Sequence, residues 1–415
     1  MKILLLTQVV PYPPDSGPKI KTYNVLRYLA RRHQVHLVSF VRSAAEDANA
    51  RALSHLCSGI TTLPLRRSRL RDGAFLLRSL VTRRPFLIER DDSAAMRSAI
   101  DELLLRERFD AVHADQLSMA QFAVDLKLPL RVLDDHNAVW SIVQRAAMHE
   151  GWGIRRILAE LEWRKLRRYE VSMCQQFDLV SFVSTEDYLA MIEAGRALFP
   201  AKVIPIAVDT LETAFVPRTE NANQILSVAT MFYPPNVEGV HWFATQVFPL
   251  IRREINDVQF QVVGSRPPKK ITRLAESGSG IVVTGYVPDL SLLLQRAAVL
   301  VVPLRSGSGM RVKILESFAR GIPVVSTSIG VEGIQAEAGE HLLVADDPKG
   351  FSQAVIRVLR DRAEAARLAR SGRQLVERSY DWHEALSGLD EIYQTQGERA
   401  SLDISPEAVS GTGRV

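Results

Sequence analysis

An alternation of short apolar runs with longer helical patterns restricts the fold of this chain more than any other feature, and it occurs twice. The first round of apolar runs falls at residues 3–8, 35–41, 111–113, 130–133 and 179–183. A second round follows after residue 220, at residues 224–229, 258–263, 281–284, 300–304 and 323–326. Strands that alternate with helices build βαβ units, in which a parallel sheet carries helices on both faces. The sequence therefore predicts an α/β protein with two doubly wound units in succession.

The chain length of 415 residues agrees with two units, because one domain usually holds about 100–200 residues. We predict a Rossmann-like N-terminal domain at residues 1–205 and a Rossmann-like C-terminal domain at residues 206–395. Residues 396–415 are small and polar and contain glycine and proline, so they cannot bury enough apolar area to offset the entropy of ordering. We predict that this tail is disordered.

Cysteine use and the first residues predict a cytoplasmic protein. Cys57 and Cys174 are far apart and have no metal-like spacing, so a disulfide framework is not expected. The first ten residues, MKILLLTQVV, are too short for the apolar part of a secretory signal and fit a buried first strand. A run of about 18 apolar residues does not occur, so no membrane-spanning helix is expected.

The formal charge of +5 is unevenly distributed along the chain. Residues 1–170 hold 28 basic and 19 acidic side chains, whereas the remainder holds 24 and 28. A basic first half fits a phosphate-bearing substrate, an anionic membrane surface or nucleic acid, and it fits a solvated surface equally well.

Two basic amphipathic segments, at residues 65–86 and 154–170, bear on these alternatives. Such helices can lie on an anionic membrane, which would make the protein peripheral at the inner face of the plasma membrane. Alternatively, they pack on the core with a solvated basic face. Nucleic acid is not expected as a partner, because no aromatic stacking platform or known module accompanies the basic residues.

The last two apolar runs flank the stretch VVPLRSGSGMRVKILESFARGIPVVST, which reads as strand, Gly/Ser loop, helix and strand. In open α/β sheets ligands bind at the carboxyl ends of strands, where this loop lies. Gly307 and Gly309 let the backbone approach a ligand. Arg305, Lys313 and the helix N-terminus supply positive charge that suits a diphosphate. Glu316 shares a helix face with Lys313 and can accept hydrogen bonds from ribose hydroxyls. The stretch predicts a nucleotide site, with a Gly/Ser turn and solvated cations as the alternative.

The common phosphate-binding fingerprints do not occur in the sequence. It has no G-x-x-x-x-G-K-[ST] segment, and it has no G-x-G-x-x-G with a following acidic residue. A P-loop site and a dehydrogenase are therefore not expected.

Together with its neighbours, the stretch resembles the donor-site segment of the family 4 glycosyltransferases (glycosyl transferases group 1). These enzymes have the GT-B fold, in which two Rossmann-like domains face each other across a cleft. The matching residues are Glu316, Ala319, Gly321 and the Pro-Val-Val at 323–325. Further family-like pieces follow in the expected order: MKILLLTQVVPYPPDSGPKIKTYNVLRYLARR, VSTEDY, VIPIAVD and VATMFYPPNVEGVHWF. The resemblance covers roughly residues 1–390.

The resemblance implies that the acceptor binds the N-terminal domain and that a nucleotide-diphosphate sugar, the donor, binds the C-terminal domain. Catalytic roles then fall to His136, Arg305 and Lys313. The implied donor site comprises Gly17, Tyr286, Val287, Gly307, Ser308, Gly309, Met310, Val312 and Glu316. Asp115, Gln116 and Arg145 are expected to line the acceptor cleft, and Arg145, two helical turns after His136, can alternatively face a phosphate.

Each of these assignments has a structural alternative. Gly17 can be an ordinary loop glycine, and His136 can be a structural or solvated histidine. Asp135 can orient His136 or be exposed. Asp115 and Gln116 can serve as a helix cap.

The chain departs from the family pattern in three places. Ser308 replaces the first glutamate of the family's E-x7-E pair, which leaves recognition of the donor hexose open. The arginine and lysine that usually follow the first strand of the C-terminal domain are missing, since that loop reads TMFYPPN. We infer that Arg305 and Lys313 take over their role at the diphosphate. In the linker, Ile206 and Ala207 replace the usual Asn-Gly, which affects turn geometry only.

These observations predict a retaining, metal-independent glycosyltransferase that moves a sugar from a nucleotide-diphosphate sugar, such as a UDP- or GDP-sugar, to a hydroxyl acceptor. Polysaccharide, lipopolysaccharide or glycolipid synthesis is the expected context, with a sugar or lipid-linked acceptor. No cofactor is expected beyond the donor substrate. A nucleotide-sugar epimerase of the same fold and a non-catalytic nucleotide-sugar-binding subunit remain open alternatives. A pyridoxal phosphate-dependent phosphorylase is disfavoured because no cofactor lysine motif is recognisable.

Overall fold

The computed structural model describes residues 1–394 except positions 66, 150–152, 217–221, 232, 277, 288 and 308. The side chains at positions 69 and 149 are likewise outside the description. The predicted disorder of residues 396–415 and the predicted donor contact of Ser308 therefore fall outside the described residues.

The first half of the chain forms a seven-stranded parallel sheet in the order β3-β2-β1-β4-β5-β6-β7. Its strands are β1 (Lys2–Thr7), β2 (Gln34–Val41), β3 (Gly59–Pro64), β4 (Ala111–Asp115), β5 (Leu130–Asp135), β6 (Leu179–Phe182) and β7 (Ala201–Val203). Leu5 of β1 lies opposite Leu37 of β2 on one side and opposite His113 of β4 on the other. Helices cover both faces of this sheet, so the central strands are buried on both sides and read as nearly continuous apolar runs.

Four helices of this half begin after a serine whose side chain accepts a hydrogen bond from the first turn, namely Ser43, Ser68, Ser93 and Ser184. The helices of this half are α1 (Gly17–Ala30), α2 (Ala44–Ala52), a 3₁₀ turn (Leu53–His55), α3 (Arg69–Thr82), α4 (Phe86–Asp91), α5 (Ala94–Arg106), α6 (Leu117–Ala123), α7 (Val139–His149), α8 (Ile154–Gln176) and α9 (Thr185–Gly195).

The second half forms a six-stranded parallel sheet in the order β10-β9-β8-β11-β12-β13. Its strands are β8 (Gln224–Val228), β9 (Gln259–Val263), β10 (Ile281–Gly285), β11 (Ala297–Val302), β12 (Val324–Ser326) and β13 (Leu343–Val344). Its first helix, α10 (Pro234–Trp242), continues through a π-helical turn (Phe243–Val247) into α11 (Phe248–Glu254). The other helices are α12 (Lys269–Thr272), a 3₁₀ turn (Arg273–Ala275), α13 (Ser291–Arg296), α14 (Val312–Ala319), α15 (Ser328–Val331), α16 (Pro348–Arg360), α17 (Arg362–Ser379), α18 (Trp382–Ala385) and α19 (Gly388–Ile392).

The predicted fold class is confirmed, because both sheets are parallel and every predicted apolar run lies in or overlaps a strand. Three strands were not predicted: β3, β7 and β13. Each of them lies at the edge of its sheet, and β7 and β13 have only three and two residues. Short edge strands carry no continuous apolar run, which explains why the sequence did not reveal them.

The end of the chain returns to the first sheet. Trp382, Leu386 and Tyr393 belong to the apolar core that contains Ile3 and Leu37. The hydroxyl oxygen of Tyr393 also lies 2.6 Å from Nδ1 of His113. The last helices therefore pack against strands of the N-terminal half, and the exact domain limits stay a prediction.

The order of strands reverses between β1 and β4 in the first sheet and between β8 and β11 in the second. At such switch points the loops after neighbouring strands diverge and leave a crevice at the carboxyl ends. The residues that follow these strands are therefore the first place to look for a ligand site. Among the described residues, no helix has the length and apolar character needed to cross a bilayer.

Candidate active site

A buried charge cluster lies at the carboxyl ends of β4 and β5, formed by Asp115, Asp134 and His136. His136 Nε2 lies 3.0 Å from Asp115 Oδ1 and 3.5 Å from Asp134 Oδ2. Helix α1 contributes Lys21, whose Nζ donates to Asp134 Oδ1, and Thr22, whose hydroxyl donates to Asp115 Oδ1 at 2.9 Å. Two carboxylates and two cationic groups thus meet where His136 and Asp115 were predicted to act.

The charges in this cluster stabilise one another. Burial alone would raise the pKa of Asp134, but Lys21 and His136 hold it well below its usual range. Burial alone would lower the pKa of His136, but the carboxylates of Asp115 and Asp134 outweigh burial and raise it to about 9. At neutral pH His136 is therefore mainly an imidazolium, which suits a hydrogen-bond donor better than a general base.

Asp115, Asp134 and His136 offer three ligand atoms within 4.8 Å of one another, which is a spacing that a metal ion could use. Their contacts argue for an internal ion-pair network instead. Asp134 already accepts from Lys21, and Asp115 from Thr22. The positive charges of Lys21 and protonated His136 also balance the two carboxylates, which disfavours a further cation here.

A second acidic group lies behind the cluster and supports the start of α7. Glu170 of α8 accepts from the backbone N–H groups of Val139 and Trp140 at 2.8 and 3.0 Å. Burial raises the pKa of Glu170 to about 7, and burial together with the Glu170 charge raises the pKa of Asp135 well above its usual range. Neither Asp135 oxygen makes a hydrogen bond with a described residue. The predicted orientation of His136 by Asp135 therefore finds no hydrogen bond in the structure.

Across from this cluster, the loop after β11 and the start of α14 carry two cations, Arg311 and Lys313. Lys313 Nζ has Asn236 Oδ1 as its nearest polar partner, at 3.5 Å, and no described carboxylate forms an ion pair with it. Burial and then the Arg311 guanidinium lower the pKa of Lys313 to about 7, and burial also lowers the pKa of Arg311. Two half-buried cations so close in the chain favour binding of an anion.

Two glycines shape the loop that leads to these cations. Gly307 and Gly309 have φ angles of +112° and +81°, which side chains rarely tolerate. A Cβ at Gly309 would lie 1.8 Å from Oδ1 of Asn137, the residue after His136. A Cβ on Gly17 at the start of α1 would lie 3.4 Å from Val312. The predicted donor loop therefore meets the N-terminal half at both Asn137 and Gly17.

An ion pair spans the two halves beside this loop. Arg145 of α7 makes two hydrogen bonds of 2.8 Å to the carboxylate of Glu332 and a third, of 2.5 Å, to the carbonyl of Gly307. A cavity of about 160 Å³ adjoins the ion pair and is lined by Arg145, Glu332 and Gly309 with parts of α7 and α9. Small-molecule sites usually enclose about 300–1,000 Å³, so this cavity is smaller than such a site. Arg145, which was predicted to contact the acceptor, lies against the donor loop.

The other predicted residues of the C-terminal half differ in how exposed their side chains are. Arg305 is exposed, with its guanidinium 5.8 Å from the ring centre of Trp242, two turns along α10 from Asn236. Tyr286 is largely exposed and Val287 is half-buried beyond the end of β10. The side chains of Met310 and Val312 are buried in an apolar cluster, so any ligand contact there falls to their backbone.

Two further predicted residues have unusual surroundings. Glu316 makes no side-chain hydrogen bond or ion pair with a described residue, and burial raises its pKa. Gln116 follows β4 with a φ of +71°, a strained conformation for a non-glycine residue, and its side-chain amide lies 3.4 Å from Asp115.

Sequence reasoning missed five residues of this region: Lys21, Asp134, Asn137, Arg311 and Glu332. Arg311 carried a usable signal, because it lies two residues before Lys313 at the same helix start. Lys21, Asn137 and Glu332 carried none, since their contacts depend on how helices and halves pack in three dimensions.

Comparison with known sequences gives two matches. Residues 222–361 match the family described as "Glycosyl transferases group 1". A protein of Klebsiella pneumoniae described as "Uncharacterized 44.6 kDa protein in cps region" is 21% identical over 401 residues, which cover 94% of this chain and 98% of that protein.

Comparison with solved structures identifies the fold. Sucrose-phosphate synthase from Thermosynechococcus elongatus matches with a TM-score of 0.69 and 16% identity, over 95% of this chain and 98% of that chain. Alr3699/HepE from Anabaena, solved in complex with UDP and glucose, matches with a TM-score of 0.66 and 16% identity, over 94% and 98%. These matches confirm the predicted GT-B fold.

Proposed function

Because the chain is a glycosyltransferase of the group 1 family with the GT-B fold, we propose that it transfers a sugar from a nucleotide-diphosphate sugar to a hydroxyl acceptor. The observation that carries the donor class is the cation pair of Arg311 and Lys313. Both are half-buried at the start of α14, and Lys313 lacks a carboxylate partner among the described residues. A diphosphate supplies the negative partner that Lys313 lacks among the described residues.

The donor is proposed to extend from this cation pair in two directions. On the nucleoside side, Glu316 is a half-buried carboxylate without a described hydrogen-bond or ion-pair partner, and it is proposed to accept from ribose hydroxyls. Tyr286 and Val287, which follow β10, are proposed to contact the base. On the sugar side, the loop at Gly307 and Gly309 meets Gly17 and Asn137. UDP is the first nucleotide to test, since Alr3699/HepE was solved with UDP and glucose.

Each charged group is then proposed to act at a different part of the donor. As the bond from the anomeric carbon to the phosphate oxygen breaks, negative charge grows on the diphosphate, where Lys313 and Arg311 stabilise it. His136 as an imidazolium donates a hydrogen bond to a sugar hydroxyl. Neither of its ring nitrogens makes a well-aligned hydrogen bond with a described residue. Arg305 is left out of this proposal because its side chain lies over Trp242.

The proposal also covers where the acceptor binds, the stereochemistry of transfer and the role of metal ions. Gln116 is half-buried just after β4, and the acceptor hydroxyl is proposed to approach there, beside the buried Asp115. The relative from a cps region supports a role in polysaccharide synthesis. We propose a retaining reaction without a catalytic metal, in which Lys313 and Arg311 provide the positive charge at the leaving group.

The donor assignment is tested by calorimetric and thermal-shift titration of the full chain with UDP, GDP, ADP and TDP. One nucleotide should raise the melting temperature, because a ligand that binds only the folded state stabilises it. Glu316→Ala should weaken binding of that nucleotide and leave the unliganded melting temperature nearly unchanged. A wild type that responds to none of the four nucleotides at millimolar concentration would overturn the donor site.

A turnover assay with the matching nucleotide sugar separates the transferase from its alternatives. Nucleotide release that depends on an acceptor supports transfer, and the same rate in chelator should show that no metal is needed. Release without an acceptor together with a free epimerised sugar would instead indicate the epimerase. Tight nucleotide binding without any turnover would indicate a binding subunit.

A further inference from the structure

Helix α7, which follows His136 in the chain, begins without a side-chain cap of its own. Its first residue is Val139, and the residue before it is Ala138, whose methyl group cannot accept a hydrogen bond. Four other helices of the N-terminal half begin after a serine that caps the first turn. The first N–H groups of a helix lack a partner within the helix, so those of α7 need acceptors from elsewhere.

Two carboxylates on other helices provide these acceptors. Asp187 of α9 accepts from the N–H of Ala138 at 3.0 Å, and Glu170 of α8 accepts from Val139 and Trp140, one N–H at each carboxylate oxygen. Both carboxylates are buried, and burial raises the pKa of Asp187 and raises that of Glu170 to about 7. A serine in place of Ala138 would cap the helix without burying a charge. The long-range acceptors therefore cost more than a local cap, which indicates a role beyond starting the helix.

The long-range acceptors fix the short corner of the chain between β5 and α7. Before the corner, β5 is held in register by its neighbours β4 and β6. After the corner, Asp187 and Glu170 tie the start of α7 to two other helices, whereas a serine cap would tie it only to itself. His136 and Asn137 form this corner, and Asn137 lies against the loop after β11. Any shift of the corner would therefore move His136 relative to the donor loop.

We propose that Glu170 and Asp187 are positioning residues for the transfer reaction, because they hold the corner so that His136 faces the donor sugar. The inference rests on the proposed function, in which His136 donates a hydrogen bond to a sugar hydroxyl. A displacement of about 1 Å can lower a rate about a hundredfold. The diphosphate is bound on the opposite side of the cleft, so its affinity should not depend on the corner. Loss of either carboxylate should therefore lower kcat and leave the KM for the donor nearly unchanged.

Glu162 provides a matched control on the same helix. It precedes Glu170 by eight residues on α8 and accepts from the N–H groups of Phe86 and Leu87 at 2.6 and 3.4 Å. These N–H groups belong to the start of α4, which carries none of the predicted site residues. Glu162→Gln and Glu170→Gln thus make the same chemical change to the same kind of contact, and only Glu170 holds the corner that carries His136.

The first experiment measures the anchoring of the corner without any substrate. Hydrogen–deuterium exchange of the full chain, read by mass spectrometry of peptides, should be at least about tenfold faster over residues 136–142 in Glu170→Gln than in wild type. The reason is that an amide offers one acceptor oxygen where the carboxylate offers two. Asp187→Ala tests the second acceptor on a separate helix in the same way, and Glu162→Gln should speed exchange only at the start of α4. Unchanged exchange over residues 136–142 in both anchor variants would overturn the proposal, whatever the activity of the protein.

The second experiment is a double-mutant cycle with His136→Gln, using a nucleotide sugar that wild type turns over. Glu170→Gln alone should lower kcat about ten- to a hundredfold with the donor KM changed less than about threefold, whereas Glu162→Gln should keep the wild-type kcat. In the His136→Gln background, the same change at Glu170 should lower kcat less than about twofold, because Glu170 acts through His136. A wild-type kcat in Glu170→Gln, or a loss that multiplies with that of His136→Gln, would overturn the positioning role. A wild type without turnover would overturn the proposed function instead, and the exchange experiment would still decide whether the corner is anchored.

Discussion

The two sides of the cleft differ in how their charged side chains are paired. In the N-terminal half, Asp115, Asp134, His136 and Lys21 neutralise one another, and the pKa of His136 rises to about 9. In the C-terminal half, Arg311 and Lys313 lie side by side with no carboxylate to pair with Lys313 among the described residues, and the pKa of Lys313 falls to about 7. The first cluster holds its own counter-ions, whereas Lys313 of the second has no carboxylate partner among the described residues.

This difference indicates which side is built for structure and which for a charged ligand. A neutralised network positions His136 rigidly and needs no ligand to be stable. A cation such as Lys313, with no carboxylate partner among the described residues, costs stability in the free protein, and binding of an anion recovers it. The donor's diphosphate is therefore expected on the C-terminal side, and its neutral hydroxyl-rich sugar beside His136.

The largest effect should come from removing the uncompensated charge. We expect Lys313→Ala to lower kcat/KM with the nucleotide sugar by about 10²–10³-fold, because a group that stabilises developing charge in a buried site has effects of that size. The nucleotide affinity should fall in parallel, as calorimetry can measure.

Arg305→Ala is the matched control for this loss. It removes a positive charge from the same loop, but from a side chain that lies over Trp242, so kcat/KM should change by less than about threefold. Equal losses in both variants would show that charge anywhere in the loop matters and would remove the distinction between Arg305 and Lys313.

The next largest effect is on the free energy of unfolding. The contributions of His136 and of Lys313 to it should change with pH in opposite directions. The folded pKa of His136 lies above its unfolded value of about 6.5, so its stabilisation is complete below pH 6.5 and is lost as pH rises through about 9. The difference in unfolding free energy between wild type and His136→Gln should therefore shrink over this window, by about 2–3 kcal/mol. Urea unfolding at several pH values measures it.

Lys313→Met provides the opposite case for the same measurement. The folded pKa of Lys313 lies below its usual value of 10.5, so stability relative to this variant should increase as pH rises from about 7 toward 10. Difference curves of the same sign for both variants would mean that the contrast between the two sides of the cleft is wrong.

The sequence predicted those residues on the two sides of the cleft whose position depends on a single strand or helix. Asp115 and His136 were recognisable because each sits at the carboxyl end of an apolar run. Lys313 was recognisable because it opens a helix after a glycine-rich loop. The core strands of both sheets were predicted for the same local reason, whereas the edge strands β3, β7 and β13 lacked the apolar run.

The other contacts of the site could not be predicted, because they join elements that are far apart in the sequence and that no local pattern relates. Lys21 reaches Asp134 over 113 positions of sequence, and Arg145 reaches Glu332 over 187. The contact of Arg305 with Trp242 also depends on how α10 packs beside β11. Because of this contact, we assign the diphosphate to Arg311 and Lys313 instead of Arg305 and Lys313. A sequence pattern gives the residue types of a site but not which members of a basic cluster face the ligand.

The smallest effect should come from the ion pair that joins the two sides. Arg145 and Glu332 are each about a third exposed, so their coupling should amount to no more than about 1 kcal/mol. Opening the cleft admits water to the donor, so Arg145→Ala and Glu332→Ala should each raise donor hydrolysis without acceptor by about two- to fivefold. The double variant should exceed neither single variant, because the pair acts as one contact. Arg131→Ala/Asp178→Ala breaks a similarly exposed pair within the first half and should leave hydrolysis unchanged. Additive effects at Arg145 and Glu332, or an equal effect of the control pair, would show that this contact does not hold the cleft closed.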